Sequence, residues 1–122
     1  MYVRFTIPSD GERTPTGAAA GIFRATARLR ETSRFNAWQH QLLDEDFDWF
    51  NQHLPFPTDI RRGRAVCWFK PEAREAISRV WRVVAIIEST GIAVRVYRRQ
   101  RPGTIVYEDA FQVTAVPWRG TF

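Results

Sequence analysis

Residues 71–90 limit what this chain can fold into more than any other stretch. Pro71 is followed by EAREAISRVWRVVAIIEST. Ile77, Val80, Val84 and Ile87 recur at three- and four-residue spacing, which puts them on one face of a helix. Trp81, Val83 and Ile86 widen that stripe, and Arg74, Glu75, Ser78, Arg79 and Arg82 hold the opposite side. Pro71 suits the first helical turn, where its missing N–H would have no partner anyway. Glu72 and Glu75 favour the positive end of the helix dipole. Glu75 and Arg79 are four apart in the favourable order. Gly91 reads as the stop. A helix this apolar must pack across a sheet and also touch another helix. Trp81 reads as core.

The rest of the chain supplies that sheet. Residues 2–7 alternate, with Val3, Phe5 and Ile7 on one side and Tyr2, Arg4 and Thr6 on the other, so they read as a half-buried strand ended by Pro8. Residues 9–17 are rich in turn formers. A helix is expected over about 18–30, with Ile22, Ala25 and Leu29 inward and Arg24 and Arg28 outward. A second is expected over 36–53, with a stripe of Leu43, Phe47, Phe50 and Leu54 helped by Trp38 and Leu42. The short link between them predicts a helical hairpin. Pro55 and Pro57 make residues 54–59 irregular. Residues 65–69 (AVCWF) read as a strand, as do 92–98, 104–107 and 111–116.

Arg101-Pro102-Gly103-Thr104 is a type II turn signal. The last three strands are therefore expected to form a meander. A three-residue loop at 108–110 would pair Tyr107 with Phe111 and Ile105 with Val113. Were 65–69 to lie beside 92–98, the crossover between them should be right-handed. The predicted fold is one α+β domain over residues 1–122. It has a mostly antiparallel sheet of four to five strands and three helices, in the order β-α-α-β-α-β-β-β. Periodicity does not assign Trp38, Trp49 or Trp118 to core or surface.

A length of 122 residues with 44% hydrophobic content suits one core, with roughly two-thirds of the extended-chain surface buried on folding. No apolar run reaches spanning length, and MYVRFTIP reads as a strand rather than a signal peptide. A single cysteine, Cys67, excludes an intrachain disulfide framework. These features predict a cytoplasmic protein away from membranes. The net charge of +5 is unevenly spread. Residues 1–60 carry six Arg against eight carboxylates, whereas residues 61–122 carry twelve basic residues against five. All basic residues but Lys70 are Arg, whose planar fork binds carboxylate and phosphate bidentately.

The opening Met1-Tyr2-Val3-Arg4-Phe5 and the later Val106-Tyr107-Glu108-Asp109 with Gln112-Val113 resemble short uncharacterised bacterial proteins of about this length. The resemblance implies a bacterial origin and brings no activity with it.

Four groups of residues invite a functional reading. Arg61, Arg62, Arg64, Arg95, Arg98, Arg99 and Arg101, with Trp68, Tyr97 and Tyr107 close in sequence, combine guanidinium groups with stackable rings. No RNP1-like string, GXXG clamp or metal knuckle accompanies them. The plainer alternative is a charged rim, or arginines paired with the acidic second helix. His40, Asp44 and Asp48 stand four apart on one helix face, a spacing suited to a shared cation but lacking a ligand from a second element. They otherwise form a solvent stripe, or dock on an Arg cluster of this chain or a second copy. Cys67 with His40 or His53 is a conceivable thiol–imidazole pair. Set among Ala65, Val66, Trp68 and Phe69, it reads more simply as a buried small hydrophobe. Glu108-Asp109 reads as turn residues more readily than as an acid–base pair.

No phosphate loop, zinc spacing or nucleophile elbow occurs, so no cofactor is called for. The leading functional reading is a non-catalytic binding module for nucleic acid or an acidic protein. A homo-oligomeric or partner-binding subunit with complementary acidic and basic faces is second. A small enzyme is third.

Overall fold

A computed structural model describes residues 1–7, 21–54 and 65–118. Along them run β1 (Tyr2–Thr6), α1 (Ile22–Leu29), α2 (Ala37–His53), β2 (Val66–Phe69), α3 (Arg74–Glu88), β3 (Arg95–Arg99), β4 (Thr104–Glu108) and β5 (Gln112–Val116). This is the expected element order, in a single α+β domain. The five strands form one sheet in the order β3-β1-β2-β5-β4, with every neighbouring pair antiparallel.

The helices keep the faces their periodicity assigns. α3 buries Ala76, Val80, Val83, Val84, Ile86 and Ile87. It starts three residues later than Pro71, because the Ala73 N–H bonds the Lys70 carbonyl and closes a turn first. Of the two acids expected in its first turn, only Glu75 stands there. Gly91 follows the C-terminus at φ 90°, a conformation that suits glycine. Trp81 departs from expectation: it is 43% exposed at the rim of the core, its ring edge-on to Phe5. α2 opens with a capping box, in which the Gln39 N–H donates to Asn36 and the Asn36 N–H to the Gln39 side chain. Trp38, expected to help the α2 stripe, is instead 63% exposed, and Trp118 is exposed too, whereas Trp49 packs on the core between Phe50 and Phe111. α1 begins at Ile22; the expected start at residues 18–20 lies outside the described residues.

The main core lies between the helices and one sheet face. Val3, Phe5, Ile7 and Phe69 meet Ile22, Leu43, Phe50, Val80, Val84 and Ile87 there. A second, smaller cluster of Val66, Trp68, Val113 and Ala115 occupies the opposite face. β1 is thus buried on both faces, since Arg4 and Thr6 are buried as well as Val3 and Phe5.

That double burial explains why the expected meander does not form. A strand inside the sheet needs backbone partners on both edges. β2 supplies one edge of β1 and β3 the other, so β3 pairs with β1 and not with β4. β2 and β3 are therefore not neighbours. Residues 100–103 then join the two outer strands. In a flat sheet that step would cross four strand spacings, about 19 Å, and also run the length of a strand. Those four residues span five Cα–Cα steps, which reach only about 18 Å. The sheet must coil so that its diagonal corners approach. Pro102 and Gly103 are buried on this crossing. A Cβ at Gly103, φ 139°, would lie 2.2 Å from the Val116 carbonyl oxygen.

The β4–β5 hairpin forms, but in another register than expected. Glu108 faces Val113, Tyr107 faces Thr114 and Ile105 faces Ala115, with an irregularity between Ile105 and Tyr107. Asp109 sets this register: its Oδ1 accepts the N–H groups of Phe111 and Gln112, and its own N–H donates to the Gln112 carbonyl. Among the described residues, no helix is long and apolar enough to cross a membrane.

Candidate functional site

β3 is short, regular and basic. Its residues 95–99 pair with β1 in unbroken register, from Thr6↔Arg95 to Tyr2↔Arg99. β1 lies on one side of it, and among the described residues no strand lies on the other. Alternation assigns the side chains. Val96 and Arg98 stand opposite Phe5 and Val3 on the helix side, and Val96 packs on the core. Arg95, Tyr97 and Arg99 point the other way. Arg95, Arg98, Arg99 and the following Arg101 are all exposed. The Arg99 guanidinium lies 5.6 Å from the Tyr97 ring centroid and donates to the Arg98 carbonyl. Among the described residues, none of these four arginines has a carboxylate partner.

Two other expected members of this surface, Trp68 and Tyr107, do not join it. Arg61, Arg62 and Arg64 lie outside the described residues. Trp68 is 0% exposed and offers no ring face to a ligand, because β2 is an interior strand and Trp68 fills the second cluster. Tyr107 is half-buried, and its hydroxyl donates to Asp109.

The acidic helix finds its partners elsewhere in the chain. Asp46 is 0% exposed between α2 and α3. It accepts from Arg79 Nη1 at 3.2 Å and from Arg82 Nε at 2.8 Å. The hydrogen bond to Asp46, despite the opposing cost of burial, raises the pKa of Arg82. Glu45 takes Arg82 Nη2 at 3.1 Å. Arg30 pairs with Asp44 and also reaches His40 Nδ1 at 3.4 Å. Of the readings open for His40, Asp44 and Asp48, the first two meet the Arg30 guanidinium of this chain, and Asp48 stays exposed. Among the described residues, no three metal-ligating side chains gather. The residue missed from sequence is Asp46. Its signal was present, since Asp46 lies three residues from Leu43 and four from Phe50, within the apolar stripe.

The remaining candidates carry structural roles. Cys67 Sγ donates to Gln112 Oε1 at 2.8 Å. The residue as a whole is half-buried, yet burial pushes its thiol up to about 12, and the nearby Arg4 charge offsets this only in part. Neither imidazole partners it: His40 meets Phe35 edge-on, and His53 stacks on Trp49 at 4.3 Å. Arg4 itself is buried and donates to the Cys67 carbonyl; burial lowers its pKa to about 10. Glu108 pairs with Lys70 at the rim of a pocket of about 290 Å³, and Asp109 caps the hairpin turn.

Fold and surface together define a small α+β domain with a basic edge strand. No protein-family model matches the chain, and comparison with curated proteins and with solved structures finds no match.

Proposed function

We propose that the protein is a non-catalytic binding module for an anionic partner, nucleic acid or acidic protein, which it holds along β3. One observation carries this reading. Arg95, Arg98, Arg99 and Arg101 cluster on an exposed edge without acids of their own among the described residues, while Arg30, Arg79 and Arg82 are engaged by the carboxylates of α2. Neighbouring like charges along one strand favour an anionic partner. The second reading, an oligomer built on acidic and basic faces, has less to draw on, because Asp44, Glu45 and Asp46 are paired within the chain. A lone, unbridged Cys67 fits a reducing compartment, so the reading places the protein in the cytoplasm.

Fluorescence anisotropy tests this with a labelled single-stranded oligonucleotide and with polyglutamate. At least one should bind at low salt and weaken as salt rises. For the oligonucleotide, each arginine lost from a phosphate contact should lower the salt slope by roughly one. The variant Arg95→Glu/Arg98→Glu/Arg99→Glu should abolish binding while keeping the thermal transition of the parent. No affinity for either polyanion at low salt, or undiminished binding by that variant, contradicts the reading.

A further inference from the structure

We infer that the anionic partner is an extended acidic peptide segment that adds as a sixth strand to the edge of β3 that no other described strand occupies. The inference rests on the reading just given and specifies its ligand. An edge strand turns alternate backbone N–H and C=O groups away from the sheet, where an incoming strand can satisfy them. β3 is suited to this because its pairing with β1 is unbroken over residues 95–99. The opposite edge, β4, has a register irregularity between Ile105 and Tyr107, which disrupts such a template.

Charge selects the occupant. Side chains directly across two strands lie about 5 Å apart, where like charges destabilise and opposite charges stabilise the pair. A second copy of β3 would set arginine against arginine. An acidic strand whose acids alternate with apolar residues would instead place carboxylates against Arg95 and Arg99 on one face and apolar side chains against Val96 on the other. The same arginines therefore oppose self-pairing and admit an acidic segment. The surface is less well equipped for single-stranded nucleic acid, which binds largely by stacking bases on open aromatic rings. Arg99 already lies over Tyr97, and Trp68 is buried.

The test uses the full chain and a labelled heptapeptide that alternates glutamate with valine. Two further versions carry N-methyl groups on the amides of one peptide edge or of the other. An oligothymidine is the competing probe. Strand addition predicts that one methylation pattern weakens binding about tenfold or more while the other does not, since only one edge faces β3. Amide exchange at alternate residues of 95–99 should slow when the peptide is bound. Arg95→Glu/Arg99→Glu should weaken the parent peptide and both methylated versions. If both methylated peptides bind like the parent, the contact is charge alone and strand addition is wrong. If the oligothymidine binds and the peptide does not, the occupant is nucleic acid, and the anion-binding reading stands without this inference. If neither binds at low salt, both fall.

Discussion

Asp46 carries more of the tertiary structure than any other single carboxylate described. It is wholly buried and holds two arginines of α3 against α2. Removing its charge leaves both guanidinium groups without their shared acceptor. Because Arg79 and Arg82 are partly exposed, water recovers some of that cost. Asp46→Ala should therefore destabilise by about 2–4 kcal/mol, below the upper range for a broken buried pair. Urea denaturation checks this against Asp48→Ala, an exposed neighbour expected within about 0.5 kcal/mol of the parent. Asp109 gives a pH-dependent prediction. Burial tends to raise its carboxyl pKa, but the N–H of Phe111, the Tyr107 hydroxyl and Gln112 outweigh burial and hold it below the ordinary 3.8. A depressed folded pKa adds stability above the ordinary value, and that stability is lost as pH falls through the lower folded value. Asp109→Ala should cost about 1–2 kcal/mol at neutral pH and should flatten the acid limb of the stability profile. Cys67 should resist alkylation at a pH where an ordinary thiol, near 9.0, reacts, and should react once urea unfolds the chain.

At the scale of elements, what could be read in the sequence depended on whether the signal was local. The apolar period of residues 76–87 and the Asn36–Gln39 capping box are written into neighbouring positions, and both helices formed where those signals stood. Strand neighbours are not local. The turn signal at Pro102-Gly103 was legible, yet it connects opposite edges of the sheet. The deciding fact was that β1 is buried on both faces, which alternation in Tyr2–Thr6 does not reveal. The crossing also yields a prediction. Gly103 combines φ 139° with a 2.2 Å approach of its missing Cβ to the Val116 oxygen. Gly103→Ala should cost about 2–3 kcal/mol, from backbone strain and displacement of the end of β5. Gly91→Ala has the strained φ but open space, so it should cost less, about 1 kcal/mol. Thermal unfolding of the two variants compares them directly.

Across the whole molecule, charge is partitioned. Asp44, Glu45 and Asp46 of α2 are paired with Arg30, just past α1, and with Arg79 and Arg82 of α3, while the arginines of β3 remain at the sheet edge. The sequence displayed the basic half but not this division, because ion pairs between Asp46 and Arg79 or Arg82 span more than thirty positions. Nor did it show that Trp68 faces a second core, since an apolar strand residue reads alike on either face. The most direct test of the anion-binding account is a two-dimensional NMR titration of the backbone amides with polyglutamate at low salt. The account predicts that shifts cluster at residues 95–101 and fade as salt is added. Shifts clustered on α2 or on the β4 edge, or none at all, would contradict it.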